Sequence, residues 1–179
     1  AIKTGDGSWL GPLGADEAEF FWEPNAGEGR KALSRIASGG EISRVMLAIK
    51  SAMMARDDVP VTVFDEVDAG IGGAVAQEVG QKIKALAQAR QVLCITHLPQ
   101  IAAYADAHLR VVKTQEKGRT QTKVVALADE GERRRELARM MAGTGANDAL
   151  NDAAGELLRY AREKAQNAQA RKGGKRAAR

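Results

Sequence analysis

The chain has 179 residues, with 27 Lys plus Arg against 23 Asp plus Glu for a formal net charge of +4, a length that holds one globular domain with a real core and not two large ones. The charge is uneven: Arg162 to Arg179 carries seven basic residues and one acidic, leaving 20 basic and 22 acidic residues elsewhere, so the excess belongs to a tail and not to a nucleic-acid-binding surface spread over the fold. One Cys and two His exclude an internal disulfide and a self-contained four-ligand zinc site, no apolar run approaches the roughly 20 residues that span a bilayer, and the N-terminus lacks a signal peptide's apolar core.

These features describe a soluble cytoplasmic chain, and its start at Ala1 reads as the start of a fragment. The first 30 residues are rich in Gly and Pro around Ala18-Glu19-Phe20-Phe21-Trp22-Glu23, whose alternation predicts an edge strand packed on one face. From Glu41, the residues Ile42, Val45, Met46, Ile49, Ala52 and Met53 recur at three- and four-residue intervals, predicting a helix to about Arg56. Val61-Thr62-Val63-Phe64 is a continuous β-branched and aromatic run, the pattern of a parallel strand covered on both faces. A second helix is predicted from Gly73 to Ala89 with Val75, Val79, Ile83 and Leu86 buried, and a second buried strand over Gln91 to Thr96.

Strand, helix and strand in this order imply two parallel neighbours joined by a crossover. A short helix over Pro99 to Tyr104 follows, then a hairpin from Leu109 to Thr114 and Thr122 to Ala128, then helices over Glu132 to Ala142 and Asp148 to about Gln166. The expected organisation is a single domain over 1–168 and a basic, disordered tail over 169–179. The fold class is α/β, with a mostly parallel sheet, flanking helices and a small hairpin.

Three features carry chemistry. Asp65 and Glu66 close the first buried strand at its carboxyl end, where open α/β sheets place their ligands. One carboxylate there suits Mg²⁺, which takes hard oxygen ligands and keeps several waters, and its neighbour suits a general base toward water. Alone, such a pair also reads as two acids ending a strand in solvent. Ser38-Gly39-Gly40-Glu41 opens the first long helix; glycines let the backbone approach a ligand, and the helix N-terminus favours a phosphate, although Ser38 equally fits an ordinary N-cap. His97 ends the second strand, either as a polar terminus or as an imidazole within reach of a terminal phosphate.

In their joint order these segments resemble the C-terminal half of an ATP-binding-cassette ATPase: Ser38-Gly39-Gly40-Glu41 as the signature loop, Val61 to Glu66 as the Walker B strand with its glutamate, and His97 as the switch histidine. Asp65-Glu66-Val67-Asp68 is similar to the heads of the structural-maintenance-of-chromosomes (SMC) group. Ile36 to Arg44, Phe64 to Gly73 and Thr96 to Gln100 together resemble its bacterial double-strand-break repair branch, over about Phe20 to Tyr160. The resemblance implies Asp65 as Mg²⁺ ligand, Glu66 as base for the attacking water and His97 as γ-phosphate contact. It implies that Ser38, Gly39, Gly40 and Glu41 bind the nucleotide of the opposite head, with ATP driving head dimerisation in DNA repair and recombination at the nucleoid.

Two departures accompany it. Gly72 stands where many of these ATPases have an Asp, six residues after the glutamate, which leaves Asp-loop communication between two sites to the backbone or to Asp68 and gives Gly72 no chemical role. No Gly-x-x-x-x-Gly-Lys-Ser/Thr segment exists, and Gly174-Lys175 is followed by Arg. The resemblance places that Walker A half N-terminal, across a long coiled coil, so the chain is expected to be inactive alone and to expose an apolar sheet edge until its other half covers it. Trp9 to Trp22 would then lie where the chain returns from the coil. Two other classes stay open: a non-catalytic DNA-binding or scaffolding module, suggested by the basic tail, and a transporter nucleotide-binding subunit, against which Val67-Asp68 and Gly70 to Gly73 count.

Overall fold

A computed structural model of the chain describes residues 2–3, 9–10, 14, 19–23, 27, 29–35, 38–54, 56, 58–116, 119–143, 145 and 147–177. It divides into two compact units, Ala1–Ser38 and Gly39–Arg179. In the first unit, β1 (Ile2–Lys3) pairs antiparallel with β2 (Trp9–Leu10) and β3 (Phe21–Trp22) with β4 (Lys31–Ala32), followed by a 3₁₀ turn at Leu33–Arg35. The strand expected over 18–23 is thus two residues long, and Ala18 lies outside the described residues. Its expected packed face is not buried: Phe20 and Phe21 are 66% and 58% exposed, because a two-residue ladder has no layer of its own to bury them against.

The second unit runs α1 (Gly39–Ala52), β5 (Val61–Phe64), α2 (Gly73–Leu86), β6 (Gln91–Cys94), α3 (Pro99–Ala102), β7 (Leu109–Glu116), β8 (Arg119–Ala126), α4 (Glu130–Ala142) and α5 (Asp148–Ala177). The α/β expectation holds, and the parallel pairing is carried by β5 and β6, Val61 opposite Gln91 through Phe64 opposite Cys94. Parallel neighbours need a crossover, which α2 supplies. One face of this pair is packed: Phe64, Val92 and Cys94 join Leu47, Val67, Ala76, Val79, Leu86 and Ile101 in a common core.

The other face is open, which corrects the expectation of two covered faces. Val61, Val63, Leu93 and Ile95 are 43–60% exposed, since strand side chains alternate and the described residues supply no second layer. The helix stripes are corrected in the same way. Ile42, Met46 and Met53 of the first predicted stripe are exposed while Leu47 is buried, and on α2 Val75 is exposed while Ala76 takes the interior place.

A second core joins α3, α4 and α5 through Ala102, Tyr104, Leu137, Ala154, Leu158 and Ala161. Gly80 on α2 is what lets Tyr104 lie so close, because a Cβ there would meet the ring at 2.5 Å. Asp129 caps α4 by accepting from the Glu132 N–H at 2.7 Å, and Glu132 reaches back to the Ala128 N–H at 2.7 Å, a reciprocal arrangement that starts the helix before the predicted Glu132. Asn147 accepts from the Leu150 N–H at 3.0 Å at the head of α5. That helix continues to Ala177, beyond the predicted end near Gln166 and into the segment expected to be disordered, because Ala, Gln, Arg and Lys are among the better helix formers.

The β7–β8 hairpin pairs Leu109 with Ala126 through Glu116 with Arg119; its turn residues Lys117 and Gly118 lie outside the described residues. Glu136 on α4, 5% exposed, takes two hydrogen bonds from Arg139 at 2.6 and 2.9 Å and lies 3.4 Å from Arg110 of the hairpin. Burial pushes its carboxyl up, but these arginines outweigh it and hold the group below the usual range. Among the described residues, no helix is long and apolar enough to cross a membrane.

Candidate active site

The carboxyl ends of β5 and β6 and the start of α1 converge on one acidic surface. Asp65 and Glu66 follow β5 directly, and both are exposed. Ser43, in the first turns of α1, donates to the Asp65 carbonyl at 2.6 Å, and the Asp65 carboxylate accepts from the Glu66 N–H at 2.9 Å through Oδ1. Glu66 itself has φ +57°, the left-handed region that non-glycine residues seldom enter. This turns the chain sharply after the strand. The turn is closed by the Ala69 N–H on the Glu66 carbonyl at 3.0 Å.

The two glycines at the head of α1 make this close approach possible. A Cβ on Gly39 would fall on the Glu66 carboxylate, and one on Gly40 would meet the Ala69 Cβ at 2.8 Å and its carbonyl at 3.0 Å. Gly39 is exposed and Gly40 buried. Arg44, one turn further, donates to the Ala69 carbonyl at 2.7 Å and to the Val67 carbonyl at 3.4 Å. Gly39 and Gly40 and the segment of the paired acids, read separately in the sequence, are therefore neighbours. Ser38 is exposed just before α1, Glu41 lies in its first turn, and Ile36 and Ala37 fall outside the described residues.

His97 follows β6 with its side chain 74% exposed, and its Nδ1 lies 2.9 Å from Asp68 Oδ2. Asp68 is the buried acid of the group and also accepts from the Thr96 hydroxyl at 2.6 Å and the His97 N–H at 2.8 Å. Burial raises its pKa, but those hydrogen bonds and the imidazole prevail and leave the carboxyl below its ordinary range. Cys94 is pushed up to about 12, by burial first and then by the carboxylates of Asp68 and Asp65, so its thiol stays protonated and is no nucleophile.

Sequence reasoning gave Ser43, Arg44 and Thr96 no role, and considered Asp68 only as a route of communication between two sites, not as a partner of His97. Their only signal was proximity: two lie a turn after the glycines, one three residues after Asp65 and one beside His97.

The donor set accepts a hard cation in a limited way. Asp65 is exposed and its Oδ1 accepts from the Glu66 N–H, and among the described residues no three His, Cys, Asp or Glu side chains gather into a metal cage. One carboxylate with open solvent around it suits Mg²⁺, which is held by few protein groups, by water and by substrate phosphates. Two cavities of about 270 and 220 Å³ lie along α5, and Lys84, Tyr104 and Gln169 line both.

No protein-family profile matches the chain. Among curated proteins it is similar to the DNA repair protein RecN of Xylella fastidiosa strain 9a5c, 49% identical over 152 residues that make up 85% of this chain and 27% of that protein. It is likewise similar to RecN of Bacillus subtilis strain 168, 49% identical over 89% of this chain and 28% of that protein, and to RecN of Streptomyces coelicolor, 47% identical over 85% and 26%. A solved structure described under "ATP-driven dimerization and DNA stimulated activation of SMC ATPases" is 28% identical and covers 71% of this chain and 74% of that one, with a TM-score of 0.48. The chain spans about a quarter of the length of the curated relatives it matches. At 47–49% identity over more than four fifths of its residues, it belongs to the RecN family of DNA repair proteins as a segment of that longer sequence.

Proposed function

We propose that this chain is the C-terminal half of an ATP-hydrolysing head that acts in the repair of DNA double-strand breaks. The observation that carries the reading is the meeting of Gly39 and Gly40 with Glu66 and Ala69 at the end of β5, beside His97 at the end of the parallel β6. That arrangement supports a reading in which phosphate-favouring backbone, a carboxylate for a cation and a carboxylate for a water share one surface.

In this reading Asp65 would hold Mg²⁺, which would supply charge stabilisation to the phosphates, and Glu66 would take the proton of the attacking water. His97 contacts the terminal phosphate. Ser38, Gly39, Gly40 and Glu41 serve the nucleotide of a second head, and ATP joins two heads into a homodimer. The missing Walker A loop comes from the N-terminal half of the same protein, so the chain alone does not turn over ATP. The exposed apolar face of Val61, Val63, Leu93 and Ile95 is the kind of surface such a half would cover. The setting is the cytoplasm, at the nucleoid, with DNA as the larger partner.

The test is ATP hydrolysis with Mg²⁺ by the head assembled from both halves. Glu66→Gln is expected to leave nucleotide binding intact and lower turnover by about 10² or more. Unchanged turnover in that variant removes Glu66 from its role.

A further inference from the structure

Three donors converge on one oxygen of Asp68: the Thr96 hydroxyl at 2.6 Å, the His97 N–H at 2.8 Å and His97 Nδ1 at 2.9 Å, all on Oδ2. The Asp68 side chain is 5% exposed, whereas the imidazole it holds is 74% exposed. The carboxylate is itself fixed. Its loop is tied to α1 by Arg44 on the Ala69 carbonyl at 2.7 Å, and the Ile71 N–H bonds the Asp68 carbonyl at 3.3 Å. The Thr96 hydroxyl accepts from the Leu98 N–H at 3.1 Å, so donating to Asp68 uses its only proton.

Among the described residues, Asp68 is the one group that holds the His97 ring. An ionised carboxylate only accepts, so the proton of the contact sits on Nδ1 and Nε2 is the ring nitrogen left for a ligand. An exposed side chain free to rotate loses that freedom on binding a phosphate, and a buried anchor removes the cost beforehand.

We propose that Asp68 is the positioning residue of His97, fixing its ring and its Nδ1–H tautomer so that Nε2 is presented to a phosphate oxygen. The ligand end of this inference rests on the reading of His97 as the phosphate contact; the positioning itself does not. Because Arg44 bonds the Val67 and Ala69 carbonyls on either side of Asp68, α1 and the imidazole are linked through this short loop.

Ring ¹⁵N NMR of the full chain without nucleotide tests the positioning, since there are only two histidines and His97→Gln assigns the signals. At alkaline pH the wild-type His97 is expected to show a protonated Nδ1 and a bare Nε2. Asp68→Ala is expected to shift the ring toward the Nε2–H form that a free imidazole favours, while Asp68→Asn, which keeps an acceptor oxygen, restores the wild-type pattern. A wild-type ring already in the Nε2–H form, a result that needs no variant to fold, overturns the proposal, as does a pattern that Asp68→Ala leaves unchanged.

In the assembled head, Asp68→Ala is expected to lower kcat by about 10²-fold with little change in KM, with recovery in Asp68→Asn and no further loss when His97→Ala is added. If the tautomer shifts as expected but His97→Ala leaves turnover unaltered, the positioning stands and the phosphate role of His97 falls.

Discussion

Gly39 leaves free the space that the Glu66 carboxylate fills, and any Cβ at position 39 would fall on that carboxylate. The obstructing atom is the far end of a flexible side chain, so the conflict is relieved by moving Glu66 and not by unfolding α1. Gly39→Ala is therefore expected to change stability by less than about 1 kcal/mol while lowering turnover of the assembled head about tenfold or more. Gly40→Ala makes the contrast, because there a Cβ meets the Ala69 Cβ at 2.8 Å and a backbone carbonyl at 3.0 Å, at a cost of about 1–3 kcal/mol. Urea denaturation of the two variants beside ATP turnover checks both; equal stabilities would remove the distinction.

Glu136 joins α4 to the β7–β8 hairpin through Arg110 and anchors Arg139 in two hydrogen bonds. Its partners are 40% and 49% exposed, so water recovers part of their loss when the pairing is broken. Glu136→Gln is expected to destabilise the fold by about 1–3 kcal/mol, and a cycle with Arg139→Ala should return a clear coupling energy. Additive effects would show the contact to be idle.

Acid should weaken the fold in two stages. Burial, helped by the nearby Arg133 guanidinium, holds His108 below its ordinary 6.5, so the unfolded chain binds that proton first and stability declines as pH falls through about 6.5. Asp68 and Glu136 sit below their ordinary 3.8 and 4.5. Their contribution is complete above those values and is lost as pH drops through the lower folded ones. Thermal melts from pH 8 to 3 should therefore be flat at the top, decline gently below about 6.5 and fall steeply in the carboxylate range. His108→Gln should flatten the first limb; a wild-type Tm that does not move between pH 7.5 and 5.5 would dismiss it.

Val63 and Ile95 are 60% and 59% exposed on the open face of the β5–β6 pair. Val63→Lys and Ile95→Lys are expected to leave the stability of this chain within about 0.5 kcal/mol, as surface substitutions do, and to prevent co-purification with the N-terminal half of the protein. Full assembly of the double variant would mean that this face stays uncovered in the head.

The sequence by itself determined the order of the segments to which the proposed chemistry is assigned. Glycines before a helix, adjacent acids after an apolar run and a histidine after the next such run are local patterns, and the structure places all three at the ends of the elements that their periodicities define. Whether a face is covered is not local. Val61-Thr62-Val63-Phe64 has the same apolar run whether a second layer is present or absent, and only the tertiary arrangement decides that Phe64 is interior and Val63 exposed. The same holds for Asp68. Its place three residues after Asp65 was visible in the chain, but its role depends on β6 bringing Thr96 and His97 beside it from 28 and 29 residues away. That pairing is set by the β5–β6 register, a choice that no periodicity within either strand encodes.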